Sequence, residues 1–298
     1  MKNKISIIIP TYNCPFIERS VDSVIEQTFK DWEIIIIDNY SKNKVKEIIR
    51  KKNDPRIRHF KFRNNGVIGK SRNYGIKKAR FNWVAFLDSD DYWTKDKLLK
   101  ITKKIKKNKY DFFYHNMFVK KQKHSFFKKK LYKYYFENMR MYDDLIVNGN
   151  SIIQSSVVVK KDLIKNVGYI SEKKNFIAWE DYDLWLKISK ISNKFCFIKD
   201  CLGYYYVSKE DKKLIRFIKN ISQFKKNYKK QINEIKTKYK LKNLWWIKYS
   251  EVLYQYKKKD YKKANLAIQN LEINRFNINL RVKILRVLIF IKTLFYAR

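Results

Sequence analysis

A chain of 298 residues exceeds the usual size of one domain, so a principal domain of about 200 residues with an appendage is expected. With 45% hydrophobic and 16% aromatic residues it is not a disordered composition, and three cysteines (Cys14, Cys196 and Cys201) without CxxC spacing argue against a disulfide framework or a cysteine zinc site and fit a reducing compartment. The net charge of +41, from 69 Lys and Arg against 28 Asp and Glu, predicts attraction to phosphates, nucleic acid or acidic lipid, although abundant Lys, Asn, Ile, Tyr and Phe with scarce Gly and Pro also mark AT-rich codon usage.

Short apolar runs then alternate with stretches of helical period. Residues 5–9 read as a strand, 16–28 as a helix, 33–38 as a strand, 44–51 as a helix, 57–62 as a strand, 71–79 as a helix and 83–88 as a strand, with helical period resuming at Thr94. Such βαβα alternation predicts an α/β fold with a Rossmann-like, mostly parallel sheet covered by helices on both faces. Ligands of such sheets bind beyond the carboxyl ends of the strands. Those ends carry Pro10, Thr11, Tyr12 and Asn13, then Asp38, Asn39, Tyr40 and Ser41, then Asp88, Ser89, Asp90 and Asp91, so three clusters distant in sequence are expected on one edge.

Beyond Tyr110 the pattern loosens. Residues 111–118 and 151–159 read as strands, a helix begins near Phe176, and 195–198 and 203–207 read as closing strands. Between them, the basic and aromatic loop 119–135 suits either solvent or an acidic or lipid-linked acceptor. From Lys209 helical periodicity dominates, which divides the chain into domains 1–208 and 209–298; within the second, 249–271 reads as two helices joined near Lys259 and Asp260. The first apolar run is too short for a signal-peptide core, and no run approaches the roughly 20 apolar residues that span a bilayer. The stretch 282–296, interrupted by Lys283, Arg286 and Lys292, suits a helix packed on its own domain or an interfacial helix on anionic lipid. A cytoplasmic location, peripheral on the inner face of the cytoplasmic membrane, is expected.

Residues 86–91, Phe-Leu-Asp-Ser-Asp-Asp, place carboxylates where an apolar strand ends. These are hard oxygen ligands suited to Mg²⁺ or Mn²⁺, with nucleotide phosphates completing the shell. Taken alone, they equally suit a turn before the following helix. The polar loop from Asn64 to a helix start at Ser71 and Arg72 offers backbone N-H groups, with Lys70 or Arg72 as the cation, to pyrophosphate. Glu180, Asp181 and Asp183 lie among Trp179, Tyr182, Trp185 and Leu186; such surroundings raise a carboxylate toward general-base use, while a helix N-terminus also favours acids through its dipole. His59, His115 and His124 form no triad and read as structural or solvated.

Four segments in order, 7–13 (IIIPTYN), 32–41 (WEIIIIDNYS), 86–91 (FLDSDD) and 179–186 (WEDYDLWL), resemble family 2 glycosyltransferases of the GT-A fold over roughly residues 1–207. The resemblance implies an inverting enzyme that moves a sugar from a UDP-linked donor to a saccharide or lipid-linked saccharide acceptor in cell-envelope glycan synthesis, of lipopolysaccharide or capsule type. It implies Pro10, Thr11 and Tyr12 at the uracil end of the donor, Asp38 and Asn39 beside the base, Arg72 at the phosphates, and Asp88 and Ser89 as further donor contacts. Asp90, with Asp88, would ligate Mn²⁺ or Mg²⁺. Asp181 would deprotonate the acceptor and Glu180 would orient it or touch the acceptor; Ser155 and Ser156 fall where the acceptor approaches. Two positions depart from the family pattern: Asn39 replaces a second acid, which weakens uridine preference, and Phe81 stands where Gly is usual.

Two competing readings remain. A basic nucleic-acid-binding protein accounts for the charge but lacks a binding motif and leaves the acidic clusters unexplained, so no nucleic-acid partner is expected. A catalytically inactive glycosyltransferase-like scaffold rests on Asn39 alone.

Overall fold

The computed structural model describes residues 3–42, 45–121, 129–131, 139–207, 212–269, 271 and 276–295. Most of the basic loop 119–135, the boundary residue Lys209 and the end of the 282–296 stretch lie outside them.

The first half of the chain runs β1 (Ile5–Thr11), α1 (Ile17–Ile25), β2 (Trp32–Asp38), α2 (Val45–Lys52), β3 (Ile57–Lys61), α3 (Ile68–Lys78), β4 (Trp83–Phe86), β5 (Tyr92–Trp93) and α4 (Lys97–Ile105). β1 and β2 are buried at every residue. They read as near-continuous isoleucine because a parallel strand between two helix layers has no wet face. Ile7, Ile9, Ile34 and Ile36 pack on one side with Val21 and Val24 of α1 and Leu98 and Ile101 of α4. On the other side α3 lies close: a Cβ on Gly75 would fall 2.6 Å from a methyl carbon of Ile8.

The chain continues through β6 (Phe112–Lys121), β7 (Lys129–Leu131), α5 (Met141–Asn148), β8 (Val158–Lys160), α6 (Lys161–Asn166), α7 (Glu180–Ile191) and β9 (Phe195–Val207). The sheet order is β3-β2-β1-β4-β8-β6-β9-β5, with β7 paired to β6. The 3-2-1-4 half is parallel; β8 enters antiparallel between β4 and β6, and β6 pairs parallel with β9.

Several local expectations shift. Only Val158–Lys160 of the expected strand 151–159 is extended, because Gln154–Ser156 turns as a 3₁₀ helix. The two expected closing strands are one, β9, whose register against β6 breaks near Asn116, where the Asn116 amide nitrogen donates to the Lys199 carbonyl at 2.8 Å. The helix expected near Phe176 starts at Glu180. The two-residue strand β5 is too short to announce itself by period.

Gly69, in the first turn of α3, lets that helix approach the chain after α6; an added Cβ would lie 2.6 Å from the Ser171 carbonyl oxygen. That oxygen is main chain and cannot rotate away. Gly69→Ala is therefore expected to lower stability by about 1–2 kcal/mol, read as a lower urea midpoint at unchanged slope.

Contacts divide the chain into two units, Met1–Met141 with Ser151–Lys209, and Tyr142–Asn150 with Glu210–Arg298. The second contains α8 (Lys212–Asn227), α9 (Lys229–Lys238), α10 (Trp245–Lys257), α11 (Tyr261–Gln269) and α12 (Phe276–Phe295). Residues 142–150, placed in domain 1–208 by pattern, group with these helices. Trp246 Nε1 donates to the Ile146 carbonyl at 2.9 Å, and Lys238 Nζ and Tyr239 Oη reach Asp143 at 2.7 and 2.8 Å.

Candidate active site

The parallel register brings the distant clusters to one edge. Thr11 pairs with Asp38, the Asn39 N-H donates to the Thr11 carbonyl at 3.0 Å, and the Leu87 N-H donates to the Ile8 carbonyl at 3.1 Å, which delivers Asp88 beside them. Pro10 is buried within β1, Thr11 is 4% exposed, and Tyr12 projects at 61%.

Asp38 braces the rim. One of its oxygens accepts the Ser41 N-H at 2.8 Å and the other lies 3.4 Å from His59 Nε2, whose pKa burial lowers against the pull of Asp38. The Asn13 side chain accepts the Lys42 N-H at 2.6 Å, and the Ser41 hydroxyl accepts the Asn13 N-H at 2.9 Å, so the loops after β1 and β2 are tied together. Asn39 Oδ1 accepts the Asn64 N-H at 3.0 Å, which leaves this carbonyl one lone pair and turns its amide N-H₂ to other partners. The Thr11 hydroxyl is buried without a hydrogen-bond partner among the described residues. Tyr40 holds a left-handed backbone, φ 56°, rare for an aromatic residue, with its ring beside Lys61 and Arg63.

The turn at residues 88–91 is gripped from beneath. The Asp91 N-H closes it on the Asp88 carbonyl at 2.9 Å. From α1 and its approach, the Ser20 hydroxyl (2.7 Å) and the Cys14 thiol (3.2 Å) donate to the Ser89 carbonyl, and Arg19 Nη2 donates to the Asp90 carbonyl at 2.6 Å. The Arg19 guanidinium is fixed against the rings of Phe16 and Tyr92 at 4.7 and 4.5 Å. Asp91 points inward, fully buried, and accepts the Tyr206 N-H at 2.8 Å; burial and the charges of Asp88 and Asp90 push its carboxyl well above the usual range. Asp88, Ser89 and Asp90 stay partly open.

Ser155 supports the same turn: its hydroxyl accepts the Asp88 N-H at 3.0 Å, and its carbonyl accepts Trp93 Nε1 at 2.8 Å and Lys97 Nζ at 2.9 Å. Lys97 is fully buried, 3.4 Å above the Trp93 ring, and desolvation drives its ammonium well below the usual lysine range while Asp91 opposes that shift. The sequence pattern does not single out Arg19, Ser20 or Lys97. Ser20 had a signal, a polar residue in the buried stripe of Ile17, Val21 and Val24; Lys97 had none in so lysine-rich a chain.

Arg72 joins three elements. From α3 its Nη2 donates to Asp88 at 2.7 Å and its Nη1 to Glu180 of α7 at 2.7 Å, with the side chain 5% exposed. Desolvation works against its charge, but Asp88 and Glu180 outweigh it and raise its pKa. Asp181, next to Glu180, is partly exposed and accepts the Tyr182 N-H at 2.7 Å. Burial and the neighbouring Glu180 charge push its carboxyl up to about 7, with Arg72 resisting. Asp183 instead meets Lys187 at 2.6 Å along the helix.

The site thus concentrates Asp88, Glu180 and Asp181 around Arg72, with Asp90 on the same acidic turn and Arg19 holding its carbonyl. Glu180 Oε2 is buried with no hydrogen-bond partner among the described residues. Among the described residues there is no group of three or more His, Cys, Asp or Glu arranged to hold a metal alone. Excess negative charge with few ligands fits a divalent cation that takes the rest of its shell from a bound phosphate.

The family model for glycosyl transferase family 2 matches residues 6–168. An uncharacterized glycosyltransferase of Methanocaldococcus jannaschii is 30% identical over 225 residues, 73% of this chain and 76% of that protein. WfaP of Escherichia coli, a UDP-Glc:alpha-D-GlcNAc-diphosphoundecaprenol beta-1,3-glucosyltransferase, is 33% identical over 188 residues, 62% of this chain and 69% of that protein. Among solved structures, the mannosyltransferase PcManGT from Pyrobaculum calidifontis with GDP-Man and Mn²⁺ superposes with a TM-score of 0.60 at 15% identity, over 90% of this chain and 75% of that one. S. aureus TarS 1-349 with UDP-GlcNAc gives 0.57 at 19%, over 97% and 72%. These structural likenesses carry the fold, which is GT-A.

Proposed function

The chain belongs to glycosyl transferase family 2 and is a glycosyltransferase, and from that premise we propose that it moves a sugar from a UDP-linked donor to a lipid-linked saccharide acceptor, inverting the anomeric configuration, in cell-envelope glycan synthesis. The observation that carries the reading is the Arg72 junction, which sets the Asp88 strand end beside Glu180 and the raised carboxyl of Asp181. Relatives support the acceptor class: WfaP and WfgD of E. coli are named for glucosyl transfer to a diphosphoundecaprenol-linked sugar, and TuaG of Bacillus subtilis for teichuronic acid biosynthesis. A lipid-linked acceptor would place the reaction at the inner face of the cytoplasmic membrane, with the catalytic unit formed by 1–141 and 151–209.

Thr11, Tyr12, Asp38 and Asn39 would receive the base, and the open rim at Asp88 and Ser89 the ribose and phosphates. Asp90 and Asp88 would hold Mn²⁺ or Mg²⁺, which when bound supplies positive charge against the departing diphosphate. Arg72 keeps Asp88 and Glu180 in place and lends its charge to the same side of the site. Asp181, with a pKa near working pH, takes the acceptor hydroxyl's proton as that oxygen attacks the anomeric carbon. A single displacement of this kind inverts the configuration.

Thermal melting with a panel of nucleotide diphosphates and Mn²⁺ tests the donor site. UDP with Mn²⁺ is expected to raise the melting temperature more than UDP with chelator, and Asp90→Ala to remove that difference while leaving the melt without ligand unchanged. Equal stabilisation of Asp90→Ala by UDP with and without Mn²⁺ is the expected pattern; an undiminished Mn²⁺ dependence would end the ligand role of Asp90.

A further inference from the structure

α12 carries two apolar stripes. Val282, Leu285 and Ile289 are buried in a cluster with Val252, Ala264 and Ile268. Ile284, Val287, Leu288 and Ile291 recur at the i, i+3, i+4, i+7 spacing of a single helix face, yet each is between 40% and 57% exposed. By helical geometry the four fill an arc of about 100°, turned away from the buried stripe. Scattered exposed apolar residues are ordinary in a soluble helix; four in register are the mark of a covered surface.

The charges around the arc identify what covers it. Lys283 and Lys292 are exposed and flank the four residues, one on each side, with exposed Phe290 just beyond Lys283, and the sequence of α12, FNINLRVKILRVLIFIKTLF, holds no acid. Arg286 has a different role, donating to the carbonyls of Ile268 and Leu271 at 3.1 and 3.2 Å and so satisfying the end of α11. A second copy packed arc against arc would set one lysine-flanked, acid-free helix against another. An anionic lipid surface meets both features at once, acyl chains under the apolar arc and headgroup phosphates at the lysines.

We propose that Ile284, Val287, Leu288 and Ile291 form a docking surface for an anionic membrane, with α12 lying in the plane of the interface and the stems of Lys283 and Lys292 reaching up to the phosphates. No helix among the described residues is long and apolar enough to cross a bilayer, so the proposed contact is one of lying on the surface, not of spanning it. The inner stripe keeps α12 attached to the helical unit while the outer arc enters the headgroup boundary. This surface rests on the packing of α12 alone and stands apart from the donor site, so the transferase reading and the docking surface fail separately.

Flotation of the full chain with vesicles of equal parts phosphatidylglycerol and phosphatidylcholine tests it. The chain is expected to float with these vesicles and, at the same lipid concentration, to bind pure phosphatidylcholine about tenfold less or weaker. Val287→Ser/Leu288→Ser/Ile291→Ser is expected to lower partitioning roughly a hundredfold, with circular dichroism, melting temperature and turnover of a soluble donor unchanged. Lys283→Gln/Lys292→Gln keeps the arc and is expected to cost about tenfold and to flatten the salt dependence. Undiminished flotation of the triple serine variant, or equal binding to neutral vesicles, overturns the proposal. A dimer in light scattering that the triple variant dissociates, without vesicle binding by either protein, assigns the arc to a second copy instead.

Discussion

Asp181→Asn is expected to cut turnover by about 10²–10⁴-fold while making the protein more stable at alkaline pH. Both effects come from one raised pKa. The carboxyl is pushed up to about 7 by burial and by Glu180, so near neutral pH it is poised to accept a proton, and Asn cannot accept it. In the wild-type chain kcat/KM should rise with pH and level off above about 7, because the base works only when ionised. Stability runs the other way. A carboxyl whose pKa is higher in the fold than in the unfolded chain is favoured in its neutral form, so the fold loses stability as pH climbs from the ordinary carboxylate range through about 7. The loss is complete above that. Asn, neutral throughout, avoids it and should gain about 2 kcal/mol at pH 8 after allowance for partial exposure, with the gain vanishing near pH 4. Denaturant melts at those two pH values, paired with initial rates, read both effects. A variant with near-wild-type turnover would remove Asp181 from the chemistry.

Arg72→Met is expected to destabilise the fold by about 3–5 kcal/mol and to abolish activity. The arginine is 5% exposed and bonded at 2.7 Å to both Asp88 and Glu180, so removing it leaves two carboxylates facing each other across a partly dry site. Arg72→Lys should recover part of the stability, since one ammonium cannot span both partners in the planar geometry the guanidinium uses. Arg72→Met/Glu180→Gln separates structure from function: replacing one buried charge with an amide should return most of the lost stability while transfer remains absent. Recovery of transfer with stability in that double variant would reduce Arg72 to a structural brace.

The strand ends were legible from sequence because they depend on local pattern. Isoleucine runs at residues 5–9 and 33–38 announce strands buried on both faces, and polar residues directly after each mark where a parallel sheet opens. The observed Thr11 and Asp38 pairing follows from that pattern. Ser155 was legible only as a position near an acceptor; its observed bonds lead to the Asp88 N-H, Trp93 and Lys97, because a 3₁₀ turn replaces the expected strand and aims its hydroxyl and carbonyl at the acidic turn. Arg72 was placed at the donor phosphates by resemblance, and the structure seats it between two carboxylates.

Element order, sheet type and the identity of the acidic turn are written in patterns a few residues long, where side-chain period and chain stiffness act locally. The division of labour within the turn is not. Asp91 turns inward to Tyr206 across 115 positions, Arg19 reaches the Asp90 carbonyl across 71, and Arg72 meets Glu180 across 108. Such partners are chosen when the helices close on the sheet and each buried charge must find a bond or leave the core, a condition that exists only once the whole fold has packed.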